Sequence, residues 1–305
     1  MEKIFYHVAD LDGICSGAVA ARKYPNAILV PYNYYYDFDR SFGDVAKDEP
    51  IMFVDITPRK ESLLKLMMIT KNLTIVDHHS DSLKVLSDLG LSFPGIVETG
   101  NDDTSEGACV LTWKYCFPEK PIPRSVKLIG DYDVWRHNDE VKAFHYGLGT
   151  LKLSPVSKHW DRILNDDESI ITGILNRGHD ILNYIVDFYA LLARSYAIPG
   201  TLKVAGYDSF KSILINQGCV TSEVFDSIKE IYDLYFRVTI GKDGKFHCSV
   251  TTPRDDINCG ALAGVIGDGG GRQRTAGFAV ESLSQFFAPN DERVSLTKVF
   301  HHESS

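Results

Sequence analysis

Three apolar runs of strand length end abruptly on carboxylates or imidazoles. IFYHVADLDG (4–13) delivers His7, Asp10 and Asp12, IMFVDITP (51–58) delivers Asp55, and LTIVDHHS (73–80) delivers Asp77, His78 and His79. Segments with apolar residues at helical spacing lie between these runs, among them GICSGAVAARKY and ESLLKLMMITK. Strands alternating with helices predict an α/β chain built on a parallel sheet. In such a sheet ligands bind beyond the carboxyl ends of the strands, where these polar groups fall. EGACVLTWKYCF reads as a further helix, and SVKLIGDYDVWRHN adds Asp131 and Asp133.

So many carboxylates in one place repel one another strongly at low dielectric. A pair of divalent cations removes the problem. Aspartate oxygens with a few imidazoles suit Mn²⁺ or Mg²⁺, whereas a Zn²⁺ site more often uses Cys or more imidazole. Each piece also has a plain reading. Asp12 can cap the helix after it, Asp55 the next turn, His7 can be a core histidine, and Asp131 and Asp133 a solvated loop. Chance would have to place all of them on one sheet edge.

At 305 residues the chain is long enough for two domains. The long helical stretch 167–198 reads as a connection between them. Beyond it TLKVAGY and SILINQ read as strands, and YFRVTIGKDGKFHCSVTTP as a hairpin turning at Asp243-Gly244. GALAGVIGDGGGRQRTAGFAV reads as a helix, a glycine-rich loop and a strand. Successive amides of Gly269, Gly270 and Gly271 in a loop can converge on an anion, with Arg272 and Arg274 as phosphate donors. The alternative is a glycine hairpin with two surface arginines. No lysine follows the glycines, so the segment is not a P-loop.

The net charge of −9 excludes a global basic footprint for duplex DNA. No apolar run reaches the length of a membrane span, and the N-terminus lacks the pattern of a secretory signal. Six scattered Cys read as reduced thiols, predicting a cytoplasmic protein. The terminal HHESS is expected to fray.

In this order the motifs DLDG (10–13), Asp55 in FVDITP, DHH (77–79), Asp131 in LIGDYD and GGGRQRTAGF (269–278) resemble those of the DHH phosphoesterase superfamily, which includes nanoRNase and RecJ-like enzymes. The resemblance spans most of the chain. It implies a DHH metal-binding domain over 1–165, a helical connector over 166–198 and a smaller α/β DHH-associated domain over 199–305. It also implies two metal ions, usually Mn²⁺, with Mg²⁺ an alternative. The roles it implies are these. His7 and Asp10 hold one metal, Asp12, His78 and Asp131 the other, and Asp55 bridges them. His79 faces substrate and Asp77 orients its neighbours. Asp55, His79 and Arg272 carry catalysis. His79, Gly269, Gly270, Gly271, Arg272 and Arg274 hold substrate.

Two departures from the family pattern stand out. His7 precedes Asp10 by three residues where four is usual, and Arg272 stands where a His usually follows the glycines. The function implied is metal-dependent phosphodiester hydrolysis by a two-metal-activated water. The substrate class is a short single-stranded oligonucleotide or a small nucleotide: oligoribonucleotides, linear or cyclic dinucleotides, or adenosine bisphosphate. A homodimer is compatible with this reading. Tyr34, Tyr35 and Tyr36 offer base-stacking surface or alternate as strand residues. Alternatives are a pyrophosphatase or exopolyphosphatase, and a non-catalytic nucleic-acid-binding scaffold. A pure scaffold gains nothing from buried unpaired charge.

Overall fold

The computed structural model describes residues 2–98, 105–207 and 209–291. HHESS, expected to fray, lies outside them. The chain divides into two compact units, Met1–Leu182 and Asn183–Ser305.

The first unit holds strands β1 (Lys3–His7), β2 (Ile28–Tyr32), β3 (Ile51–Val54), β4 (Leu73–Asp77) and β5 (Gly95–Val97). They form one parallel sheet in the order β2-β1-β3-β4-β5. Its helices are α1 (Leu11–Lys23), α2 (Phe38–Phe42), α3 (Lys60–Met67), α4 (Ser80–Leu89), α5 (Ala108–Cys116), α6 (Arg124–Asp133), α7 (Asp139–Gly149), α8 (His159–Ile163) and the start of α9 (Glu168–Tyr196). Both sheet faces are covered, which is why the strands read as continuous apolar runs. Ile4, Tyr6, Met52, Val54 and Val76 enter one core with residues of α1, α5, α6 and α7. Their neighbours Phe5, Ile51, Phe53 and Ile75 point the other way, into a core shared with α3 and α4. Residues 34–36 follow β2 in a turn instead of continuing the strand. Tyr34 and Tyr36 pack against the second core, while Tyr35 is exposed.

The switch from β1 to α1 explains the glycine of DLDG. A Cβ on Gly13 would lie 2.1 Å from the carbonyl oxygen of His7. The helix therefore starts hard against the strand end. Asp10 is its N-cap, accepting from the Gly13 amide at 2.9 Å.

The second unit is a seven-stranded sheet in the order β10-β11-β9-β8-β7-β6-β12. Its strands are β6 (Ala197–Leu202), β7 (Lys211–Asn216), β8 (Leu234–Ile240), β9 (Phe246–Thr251), β10 (Asp268–Gly271), β11 (Thr275–Val280) and β12 (Phe287–Pro289), with helix α10 (Cys259–Ile266). β8 and β9 are the antiparallel pair expected around Asp243-Gly244, and Gly244 takes the left-handed φ of +79° that the turn requires. The division between the units falls within α9, a single helix where the sequence predicts one.

The glycine segment differs from expectation. Asp268–Gly271 is not a loop but the edge strand β10, paired antiparallel with β11. Amides of successive strand residues point to opposite sides, so three consecutive glycine N–H groups do not converge on one anion. Small residues are needed here for close packing. A Cβ on Gly269 would lie 2.4 Å from the Gly277 carbonyl, and one on Gly260 of α10 would lie 2.4 Å from the Gly271 carbonyl.

Candidate metal centre

The carboxyl ends of β1, β3 and β4 lie side by side in the sheet, and each ends in polar residues. His7 closes β1, Asp55 follows β3, and Asp77 closes β4 ahead of His78 and His79. Three groups of side chains bring ligand atoms within 4.8 Å of one another: His7, Asp10 and Asp55; Asp12, His78 and Asp133; and Asp55, His78 and His79.

Asp55 stands at the centre. Its side chain is 1% exposed, with Oδ2 3.5 Å from His7 Nδ1 and Oδ1 3.5 Å from His78 Nε2. These gaps exceed hydrogen-bond length, and both carboxylate oxygens, like His7 Nδ1, are buried with no hydrogen-bond partner. Asp55 also has a φ of +59°, a strained conformation for a residue with a Cβ. Its amide still donates to the Val76 carbonyl at 2.8 Å, so the strained residue remains tied to β4.

Burial pushes the Asp55 carboxyl well above its usual range, and repulsion from Asp12 and Asp10 adds to this. Burial likewise raises Asp12 to about 6 against hydrogen bonds that oppose it. Asp133 rises to about 7, again chiefly from burial and then from Asp12. Burial lowers both His7 and His78. The cluster resists carrying its own charges. Orphaned carboxylate oxygens, neutral imidazole and nearby like charges form a donor set that divalent cations fit.

Asp12 is anchored from a distant part of the chain. Its oxygens accept from the amides of Ala108 at 2.7 Å and Cys109 at 2.9 Å, so it caps the N-terminus of α5 and not α1. Gly107 and Gly130 allow this approach. A Cβ on Gly107 would lie 2.5 Å from Gly130 Cα and 3.2 Å from Asp12 Oδ1. His78 Nδ1 is held by the Glu106 carbonyl at 3.1 Å, which leaves Nε2 facing Asp55 and Asp133 at 3.5 and 3.3 Å.

Asp77 is fully buried and holds no place in the three groups. It accepts from Thr57 Oγ1 at 2.7 Å, Ser82 Oγ at 2.6 Å, the amides of His78 and His79, and His79 Nδ1 at 2.8 Å. Burial alone would raise its pKa, but these donors, His79 first, hold it below the usual range. His79 moves the opposite way: burial opposes its charge, and Asp77 outweighs burial and raises it. With Nδ1 committed to Asp77, His79 presents Nε2 as its free ring nitrogen.

Asp131 requires a correction. Its carboxylate is forked by Arg136, with Nε at 2.8 Å and Nη2 at 2.6 Å, and Asp133 takes the place in the cluster that the family resemblance assigns to Asp131. Both lie on α6, where residues two apart face different directions. Only one of them can reach His78. Arg136, five residues beyond Asp131, makes the choice through side-chain contact. Thr57, Ser82 and the Glu106 carbonyl also escape sequence reasoning, because only the fold brings them to the DHH motif.

In the second unit Gly269, Gly270, Gly271, Arg272 and Arg274 are all exposed. Arg274 pairs with Asp255. Arg272 donates its amide to Thr275 at 2.8 Å and accepts from Gly260, and its guanidinium has no ion-pair partner among the described residues. Among the described residues no helix is long and apolar enough to cross a membrane.

The fold these elements build is shared with solved structures of low sequence identity. The chain superposes on PggH, a pGpG-specific phosphodiesterase from Vibrio cholerae, with a TM-score of 0.54 over 92% of this chain and 93% of that one, at 10% identity. It is also similar to RecJ from Thermus thermophilus, solved with Mn²⁺, with a TM-score of 0.47 over 91% of this chain and 49% of that one, at 14% identity. In sequence it matches an uncharacterized protein, R106, of Acanthamoeba polyphaga mimivirus, at 22% identity over 262 residues. That match takes in 81% of this chain and spans 57% of the relative's length. No protein-family model matches the chain.

Proposed function

We propose that the protein is a metal-dependent phosphoesterase that hydrolyses phosphodiester bonds in short oligonucleotides or small nucleotides. The observation that carries this reading is Asp55: buried, strained, unpartnered at both oxygens, and common to two of the ligand groups. A carboxylate so placed would serve two cations at once. The fold, shared with a phosphodiesterase that acts on pGpG, supports the reading.

His7 and Asp10 would hold one cation and Asp12, His78 and Asp133 the other, with Asp55 between. Oxygen-rich ligation of this kind favours Mn²⁺ or Mg²⁺. Bound there, two such ions supply Lewis-acid stabilisation of phosphoryl oxygens and lower the pKa of a water molecule. The chain's own residues do the rest. Asp77 fixes His79 through Nδ1 and favours its protonated ring, whose Nε2 would donate to a phosphate oxygen. The backbone bonds at Glu106, Ala108 and Cys109 hold His78 and Asp12 in place before substrate arrives. Arg272, with a permanently charged planar fork, is proposed to bind a substrate phosphate, and Arg274, engaged by Asp255, contributes less.

The test is a hydrolysis screen with Mn²⁺ and Mg²⁺ over dinucleotides, short oligonucleotides, cyclic dinucleotides, adenosine bisphosphate and pyrophosphate, beside metal titration by calorimetry. Cleavage of a phosphodiester by the wild type, with metal binding lost in Asp55→Asn, is the expected result. Phosphodiester turnover undiminished by Asp55→Asn would refute it.

A further inference from the structure

Directly after Asp133, α6 ends and the chain makes a tight braced turn. Val134 donates to the Gly130 carbonyl, Trp135 to the Tyr132 carbonyl at 3.2 Å and Arg136 to the Asp131 carbonyl at 2.8 Å. Arg136 then clamps the turn from outside, forking Asp131 and reaching the Ser105 carbonyl. His137 Nε2 donates to the Tyr132 carbonyl at 2.9 Å.

The residue this turn displays is Trp135. It is 72% exposed, although a tryptophan loses hydrophobic free energy by standing in water, and it sits at a φ of +64°. A large residue in the left-handed region is a true outlier, held only because its surroundings leave no alternative. Behind it runs a ladder of rings. Trp135 lies 5.1 Å from His137, His137 stacks on Tyr132 at 4.6 Å, and Tyr132 stacks on His145 at 3.4 Å with planes 9° apart. The indole thus has a ring neighbour in His137 and remains largely open to solvent. The other tryptophans, Trp113 and Trp160, are buried in the core.

We infer that Trp135 is the stacking platform for a nucleobase of the substrate, and that the protein selects base-bearing phosphodiesters over base-free phosphates. This rests on the phosphodiesterase reading above and narrows its substrate class. Consecutive Cα atoms are 3.8 Å apart, so the Trp135 backbone lies within about 7.6 Å of that of Asp133. A nucleotide spans that separation between its phosphate and its base. Stacking on an aromatic face tolerates any base, because every base has a π-face. The polyphosphate and pyrophosphate alternatives have no group for the indole to hold.

Two measurements test this independently. The first is hydrolysis of 5′-phosphorylated diadenylate and of an abasic analogue with the same phosphodiester. Wild type should prefer the base-bearing substrate, and Trp135→Ala should lose that preference, raising its KM roughly 5- to 150-fold, the loss of one base stack. Trp135→Phe should restore part of it. The second is quenching of tryptophan fluorescence by adenosine, which carries no phosphate and needs no metal. Because Trp135 is the exposed tryptophan, the quench should be present in wild type and lost in Trp135→Phe. Diadenylate cleavage with unchanged selectivity in Trp135→Ala, or an adenosine quench that persists in Trp135→Phe, overturns the platform and leaves the phosphodiesterase reading standing. Failure of wild type to cleave either substrate, beside a quench lost in Trp135→Phe, overturns the phosphodiesterase reading and leaves the platform standing.

Discussion

Asp55 combines a functional demand with a backbone cost, and the two separate by mutation. Asn removes the charge yet tolerates a left-handed φ, whereas Ala at φ +59° costs about 1–2 kcal/mol. With chelator present, Asp55→Asn should melt at or above the wild-type temperature and Asp55→Ala below Asp55→Asn. Equal melting of the two variants would remove the strain argument. Asp133 sets a pH dependence. Its folded carboxyl titrates at about 7, far above the 3.8 of an unperturbed carboxyl. Between those values the folded state holds a proton that the unfolded chain releases, so this contribution to stability is full below 3.8 and lost as pH rises through about 7. In metal-free protein, Asp133→Asn should therefore gain stability over wild type as pH rises from 5 to 8, and a gain that shrank over that range would contradict the sign. Most members of the three side-chain groups are polar residues that the sequence places at strand ends. The choice between Asp131 and Asp133 was not legible there, because Arg136 decides it through side-chain contact.

At the scale of elements, the junction between β1 and α1 is built so tightly that a glycine becomes obligatory. Gly13→Ala would drive a methyl against the His7 carbonyl, forcing α1 away from β1 and carrying Asp10 and Asp12 with it. A destabilisation of at least about 1–3 kcal/mol is expected, together with weakened Mn²⁺ binding by calorimetry. Wild-type affinity in that variant would show that the junction adapts without moving its ligands. The alternation of strands and helices was readable from apolar periodicity, and the parallel sheet followed from it. The glycine run of β10 misled because glycine signals both convergent loops and close-packed strands, and only the partner strand β11 and helix α10 separate them. Arg272 keeps its proposed role on side-chain chemistry alone. Arg272→Ala should lower kcat/KM by about 2–4 kcal/mol in transition-state terms, with Arg272→Lys recovering part, and Mn²⁺ stoichiometry should be unchanged in both. Wild-type kinetics in Arg272→Ala would reduce the segment to a hairpin.

For the whole molecule, every proposed metal ligand lies in the first unit, between residues 7 and 133. Adding Mn²⁺ should slow amide hydrogen exchange at the carboxyl ends of β1, β3 and β4 and at the start of α5, and leave residues 209–291 unaltered. Protection spread evenly over both units would mean that the ions act elsewhere. The cap that Asp12 places on α5 has a consequence in time. Asp12 is held by amides almost a hundred residues later, and Asp133, with which it would share a cation, comes later still. At about 5–20 residues per second, the ribosome needs roughly 6–25 s to pass from His7 to Asp133. Through that interval the nascent chain carries first His7, Asp10 and Asp12 and later the DHH motif without the geometry that would close a complete site. An ion taken up by the proposed site would thereby be chosen only once the domain has folded, from the pool the finished protein meets rather than from whatever ion first reaches the emerging peptide.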